Sequence, residues 1–371
     1  MKKIKILFLI HDLGHGGAEK VLVNLVNNMD SNKFDIHVTA LFGGGVNEQF
    51  LKPHVHLHTV FPKVFPGNSH VMKFLSPRLL HKLCVKDHYD VEVAYLEGPS
   101  ARIIAGCPDP AVKKIAWIHS TIKTLSGLSK GFRSVEEAKS CYSRFEQGVF
   151  VSKEVMDAFC KLCPMTQTMV LYNTNETNKI IALASEPVEA HLFQNNSIKL
   201  VGVGKLVPLK GFDRLLRIHH RLRVEGYTIH TYLLGTGPME ADLCAFIEEN
   251  HLTDSVTFLG YQTNPYKYVS KCDLFVCSST SEGFSTAATE ALIVNTPVCT
   301  VEVSGMREML GENCEYGLIT PNDEESLYYG IRRLLDDPAL FAYYKKQAGI
   351  RGKFFSTEQT VGAAQTLFER I

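Results

Sequence analysis

The chain has a single tryptophan in 371 residues, and its 39 lysines and arginines are matched by 39 aspartates and glutamates. A balanced charge gives no basic field of the kind a nucleic acid demands, so no nucleic-acid partner is expected. No run reaches the roughly 18 to 20 apolar residues that a membrane-spanning helix needs. The opening MKKIKILFLI stops its apolar run at Ile10, before His11 and Asp12, which is short for a signal-peptide core. It reads as a first strand, and a cytoplasmic protein is expected. Ten cysteines are scattered without a framework; Cys160 and Cys163 form one C-x-x-C inside a helical pattern, with no second pair. Reduced thiols are therefore expected rather than disulfides or a zinc cluster. His54, His56 and His58 alternate on one face of a strand-like segment. Metal binding there needs ligands from elsewhere, and the reading is an exposed edge face.

The chain is long for one core and comfortable for two of about 170 to 190 residues each. Short apolar runs ending in glycine recur, as at Leu200–Val203, Tyr232–Pro238 and Val256–Gly260, with helical patterns over 213–223, 239–250 and 266–271 between and after them. Strand and helix alternating with short connections predict parallel sheets covered on both faces, an α/β chain. The polar stretch 174–197 reads as a linker between residues 1–173 and 198–355, and 356–371 as a terminal helix. Charge is uneven: residues 1–175 hold 21 basic against 15 acidic side chains, and residues 176–371 hold 18 against 24. The first half can thus attract an anionic acceptor or an anionic membrane surface. Within it, Lys63, Lys73, Arg78, Lys82 and Lys86 alternate with Phe65, Phe74, Leu75, Leu79, Leu80 and Leu83. Such a stretch suits either a membrane interface or a surface helix packing its leucines on the core.

The strongest chemical signal is SEGFSTAATEAL, in which Glu282 and Glu290 stand eight residues apart where the apolar run Asp273–Cys277 gives way to a helix. Gly283, Ser285 and Thr286 open that helix, whose unpaired N–H groups and positive dipole end suit a phosphate. Ionised carboxylates beside an anion site can accept hydrogen bonds from pairs of sugar hydroxyls. Upstream, KLVGVGKLVPLKGFDRLL places Lys205 and Lys210 in the connection after a buried strand. In the first half, Gly14, Gly16 and Gly17 lie between a strand and an amphipathic helix, 18–29, where glycine allows close backbone approach to a ligand. A dinucleotide fingerprint fails here, because Glu19 stands where a third small residue belongs and Ala40, Leu41 and Phe42 where the acidic ribose ligand belongs. His119 ends another apolar segment, AWIHSTI.

The segments EGFSTAATEA, GKLVPLKGF and GGAE, in this order of specificity, resemble the retaining glycosyltransferases of family 4. The resemblance covers most of the chain and is most specific over 199–309. It implies a GT-B fold, two Rossmann-like parallel-sheet domains facing across a cleft, with an acceptor-binding first domain, a nucleotide-sugar-binding second domain and a terminal helix crossing back to the first. It also implies a nucleoside-diphosphate-sugar donor, UDP-linked by expectation, and a glycan or lipid-linked glycan acceptor in surface polysaccharide assembly. Lys205 and Lys210 are expected on the diphosphate, together with Gly204 and the backbone of Gly283, Phe284, Ser285 and Thr286. Tyr261 and Gln262 are expected beside the base, Glu290 on the ribose, Glu282 on the transferred sugar, and Gly16, Gly17 and His119 on the donor from the first domain. No cofactor and no metal are expected, in keeping with the lack of an Asp-x-Asp motif. Two departures stand out: Lys205 replaces an arginine and so loses its bidentate fork, and LYNTN (171–175) lacks the Pro and Asp of the family's hinge. An epimerase of the same fold, or a non-catalytic subunit that keeps it, are the competing readings; peripheral contact with the inner membrane face is the further expectation.

Overall fold

The computed structural model describes residues 2–65, 67–189, 192–194 and 196–371. Two compact units emerge: Met1–Asn175 with Thr357–Ile371, and Glu176–Ser356.

The first unit is built on seven strands: β1 (Ile4–Ile10), β2 (Phe34–Phe42), β3 (Val55–Phe61), β4 (Val91–Tyr95), β5 (Lys113–Ile118), β6 (Gln147–Phe150) and β7 (Thr168–Val170). Their order is β3-β2-β1-β4-β5-β6-β7, with every pair parallel. Ile6 through Ile10 are all fully buried, as a central strand covered on both faces requires. The helix Gly17–Asn28 buries Val21, Leu22, Leu25 and Val26 along one stripe. Ser152 caps the helix Lys153–Leu162, its hydroxyl accepting from Val155 N at 3.2 Å. The terminal helix Thr357–Arg370 belongs to this unit. Its Phe368 packs edge-on against Phe8 and Phe34, and Gln365 accepts a 2.6 Å hydrogen bond from Asp30 N.

The second unit has six strands: β8 (Ile198–Val203), β9 (Ile229–Leu234), β10 (Val256–Gly260), β11 (Leu274–Cys277), β12 (Val298–Val301) and β13 (Leu318–Thr320). The order β10-β9-β8-β11-β12-β13 is again wholly parallel. Both sheets therefore reverse their winding next to the first strand, between β1 and β4 and between β8 and β11. Ligands of such sheets bind outside the carboxyl ends of the strands at this reversal.

The segment expected as a linker is in part ordered structure. Thr177–Ala184 is a helix that buries Ile180, and Asn264 of the same unit donates to Leu183 O at 2.9 Å. Polar flanks hid this helix, whose apolar run Ile180–Ala184 is short and buries Ile180 on a single packed face. Ala190, His191 and Asn195 of the expected linker lie outside the described residues. The basic apolar stretch forms two short helices, Asn68–Phe74 and Pro77–Cys84, broken by the Ser76 cap and Pro77. Leu80 and Cys84 are buried, while Phe74 is 84% exposed and Leu79 and Leu83 are exposed beside Arg78 and Lys82. All ten cysteines are free thiols. No described helix is long and apolar enough to cross a membrane.

Candidate active site

The reversal point of the second sheet collects most of the residues singled out from the sequence. After β8 the chain passes Gly204 and Lys205, makes the single turn Pro208–Lys210, and enters the helix Phe212–Val224 through Gly211 in the left-handed conformation (φ 62°). A Cβ on Gly211 would lie 2.2 Å from Ser278 O, so only glycine lets this turn meet the loop after β11. Gly235, after β9, is closer still: its Cβ would fall 1.9 Å from Gly204 O. The three strand ends are thus drawn together at backbone distance.

Lys210 Nζ donates to Glu282 Oε1 at 2.6 Å, and Ser279 Oγ donates to the same oxygen at 2.6 Å. The Lys210 and Glu282 side chains are 26% and 11% exposed. Burial works against the ammonium charge, and the adjacent carboxylate outweighs it, leaving the Lys210 pKa above its ordinary value. Lys210, Ser279, Glu282 and Ser285 share one small cavity, floored by Val203, Phe212 and Phe275. Ser285 caps the helix Thr286–Ile293 by accepting from Ala288 N at 3.3 Å, and its own N–H and those of Thr286 and the next residues stand at a helix N-terminus. Glu290 lies five residues into that helix, buried, and accepts from Tyr266 Oη at 3.2 Å. Phe284 is buried against Phe355 with ring centroids 5.7 Å apart, which fixes the backbone on either side of Gly283. Lys205 is exposed at the end of β8. Tyr261 is 51% exposed, just past β10, and Gln262 folds back to donate to Leu259 O at 2.5 Å.

Three supports were not visible in the sequence. Arg214 is buried and donates to Ser278 O (2.5 Å), Ser279 O (2.8 Å) and Asn322 Oδ1 (3.0 Å), binding the first helix turn to the glutamate loop. Ser279 and Tyr266 orient the two carboxylates. Arg214 sits in a helix whose apolar spacing is regular, so no local signal distinguished it from a solvated arginine.

The first unit presents a different arrangement at its own reversal. Gly16 is the N-cap of the helix Gly17–Asn28, and Gly14 N donates to Asp12 Oδ1 at 2.7 Å. After β4, Leu96 has φ 96°, a left-handed conformation costly for a branched residue. The turn sets Glu97 to accept from His119 N at 3.1 Å. The His119 ring lies 4.5 Å from Tyr95 and is roughly parallel to Trp117 at 6.4 Å. Burial lowers the His119 pKa to about 3, so the imidazole is neutral. Its Nε2, Tyr95 Oη and Trp117 Nε1 are buried without a hydrogen-bond partner. Such groups cost free energy unless water or a ligand meets them.

Two parallel-sheet units with this strand order define a GT-B glycosyltransferase fold, and solved structures agree. An Anabaena protein, HepE, solved with UDP and glucose, superposes with a TM-score of 0.80 at 19% identity over 99% of this chain and 100% of that one. Sucrose-phosphate synthase from Thermosynechococcus elongatus gives 0.79 at 18% identity over 99% of both chains. Residues 186–351, most of the second unit, match the family model described as glycosyl transferases group 1. Among curated relatives, a Campylobacter jejuni enzyme is 27% identical over 95% of both chains; it is an N-acetylgalactosamine-N,N'-diacetylbacillosaminyl-diphospho-undecaprenol 4-alpha-N-acetylgalactosaminyltransferase. A lipopolysaccharide core biosynthesis glycosyltransferase of Rhizobium meliloti is 31% identical over 38% of this chain and 40% of its own.

Proposed function

We propose that the protein is a retaining, metal-independent glycosyltransferase that moves a hexose or N-acetylhexosamine from a nucleoside-diphosphate sugar, UDP-linked, to a hydroxyl of a lipid-linked glycan. The observation that carries this reading is the Lys210–Glu282–Ser279 cluster beside a helix N-terminus and the buried Glu290, all at one sheet reversal. A cation and the N–H groups of a helix N-terminus suit a diphosphate, and two carboxylates suit the hydroxyls on either side of it. The lipid-linked acceptor is supported by the activity of the Campylobacter relative, and UDP by the ligand of the Anabaena structure.

In this reading Lys210, Lys205 and the backbone N–H groups of Phe284 to Thr286 meet the diphosphate, where charge grows as the glycosidic C–O bond breaks. Glu290 takes the ribose hydroxyls and Glu282 those of the transferred sugar; Gly204 lets the backbone come close, and Tyr261 and Gln262 flank the base. The leaving phosphate oxygen accepts the proton of the attacking hydroxyl on the same face, so the anomeric configuration is kept without a carboxylate nucleophile. His119, Gly16 and Gly17 are proposed donor contacts from the first unit; a neutral His119 can supply a hydrogen bond but no positive charge. The exposed Phe74, Leu79 and Leu83 with Arg78, Lys82 and Lys86 are proposed to rest on an anionic membrane surface at the cytoplasmic face, where such an acceptor would be presented.

The test is incubation of the protein with UDP-sugars and undecaprenyl-diphosphate-linked saccharides, with products analysed by mass and by the configuration of the new linkage. An α-linked product from an α-linked donor is expected. Donor binding without transfer to any acceptor would favour the non-catalytic reading, and an altered sugar nucleotide formed without acceptor would favour an epimerase. Sedimentation with phosphatidylglycerol vesicles, reduced in Lys82→Glu/Leu83→Glu, checks the membrane contact.

A further inference from the structure

At the open edge of the first sheet, three metal-type ligands that the donor-site reading does not use converge. Asp35 and His37 are two apart on β2 and therefore share a face, and His56 on the edge strand β3 stands directly opposite His37 in the register. His37 Nε2 lies 3.2 Å and His56 Nε2 3.5 Å from the same carboxylate oxygen, Asp35 Oδ1. One ligand atom from each of the three lies within 4.8 Å of the others. His37 Nε2 is buried and makes no hydrogen bond of acceptable direction, although the carboxylate is close. Ligands held about 2.0 to 2.1 Å from a tetrahedral zinc ion stand about 3.3 Å apart, close to the distance of each imidazole nitrogen from Asp35 Oδ1.

We propose that Asp35, His37 and His56 bind one divalent transition-metal ion, zinc by the chemistry of its two imidazoles and one carboxylate, and so clasp the edge strand to its neighbour. The opposing cation, Lys5, is neutralised by its ion pair with Asp87 and lies over the Tyr89 ring. His56 is 60% exposed, so metal can enter from solvent and water can fill the fourth position. His54 takes no part: it lies before β3, with Nε2 3.2 Å from Val26 O. His58, exposed in the middle of β3, stands opposite Thr39, which is no metal ligand. The sequence reading stopped at an exposed face because the other two ligands come from a strand twenty residues earlier.

The full chain, stripped with chelator, is titrated with zinc chloride and, separately, cobalt chloride, in wild type, His56→Gln and His37→Gln. One equivalent of zinc is expected to bind and raise the melting temperature of wild type, with at least a tenfold loss of affinity in His56→Gln, whose exposed position spares the fold. The cobalt spectrum is expected to lack a thiolate charge-transfer band. Equal zinc uptake by wild type and His56→Gln, a thiolate band, or no uptake at all would overturn the site. Glycosyl transfer by His56→Gln is expected to match wild type, which separates this site from the donor site.

Discussion

The two sheets share a winding order, yet their reversal points are furnished in opposite ways. After β8 and β11 the charged groups satisfy one another: Lys210 with Glu282, Ser279 with Glu282, Arg214 with two carbonyls. After β4 and β5 an aromatic cluster holds three polar atoms without partners, beside a left-handed leucine. Two histidines whose ring nitrogens are buried state the contrast compactly. His219, in the second unit, is bonded to Thr231 Oγ1 (2.8 Å) and Ser255 Oγ (3.0 Å), whereas His119 Nε2 is bonded to nothing. Topology therefore decides where a ligand can sit, and the local polar ledger separates residues that hold the fold from residues kept for something else.

The comparison is broken most severely at Lys210. Lys210→Ala or Glu282→Ala is expected to lower transfer by about 100-fold or more, as removal of a transition-state charge partner does. Initial rates with labelled donor measure this, and near-normal rates in either variant would sink the donor-site assignment. Next comes Glu290→Ala. UDP at about a hundred times its dissociation constant should stabilise wild type by roughly 2.7 kcal/mol. That shift, read by thermal denaturation, should vanish in the variant. Arg214→Met removes charged hydrogen bonds to two buried carbonyls and should cost about 2 kcal/mol of stability in denaturant titration, with weaker donor binding alongside.

The histidines sharpen the contrast at smaller scale. His219→Leu removes the partner of Thr231 Oγ1 and leaves Ser255 Oγ only the Leu252 carbonyl, and should lower stability by about 1 to 2 kcal/mol, while His119→Leu should leave stability unchanged or higher and reduce transfer. Both native histidines have folded pKa values lowered to about 3 by burial, joined at His219 by nearby Arg223 and His230. The unfolded chain takes up these protons near pH 6.5 and the folded chain does not. Their contribution is thus complete above about pH 6.5 and declines as pH falls toward 3. Either leucine variant should flatten the fall in stability between pH 6.5 and 4, and an unchanged slope in both would show that neither histidine is held neutral.

Much of the donor region was legible because it is written in contiguous sequence: a glycine-punctuated strand, two lysines in one connection, and two glutamates one helix entry apart. The strand β1 and the helices after Gly16, Gly211 and Ser285 follow from periodicity and capping alone. What escaped is what only the third dimension assembles. Arg214 reads as one more charge on an amphipathic helix until the loop after β11 arrives above it. Glu97 and Leu96 take their meaning from a strained turn that composition does not announce, and the helix 177–184 was masked by polar residues around one buried isoleucine.

The Lys210–Glu282 pair also describes the protein between turnovers. Each member keeps a partner whether or not a diphosphate is present, so product departure strands neither ion in a half-buried place. In the proposed cycle the carboxylate serves as the lysine's placeholder, ceding part of that contact to the incoming anion and recovering it on release. The resting protein can then wait without donor, and the energy returned when the pair reforms helps to expel the spent nucleotide.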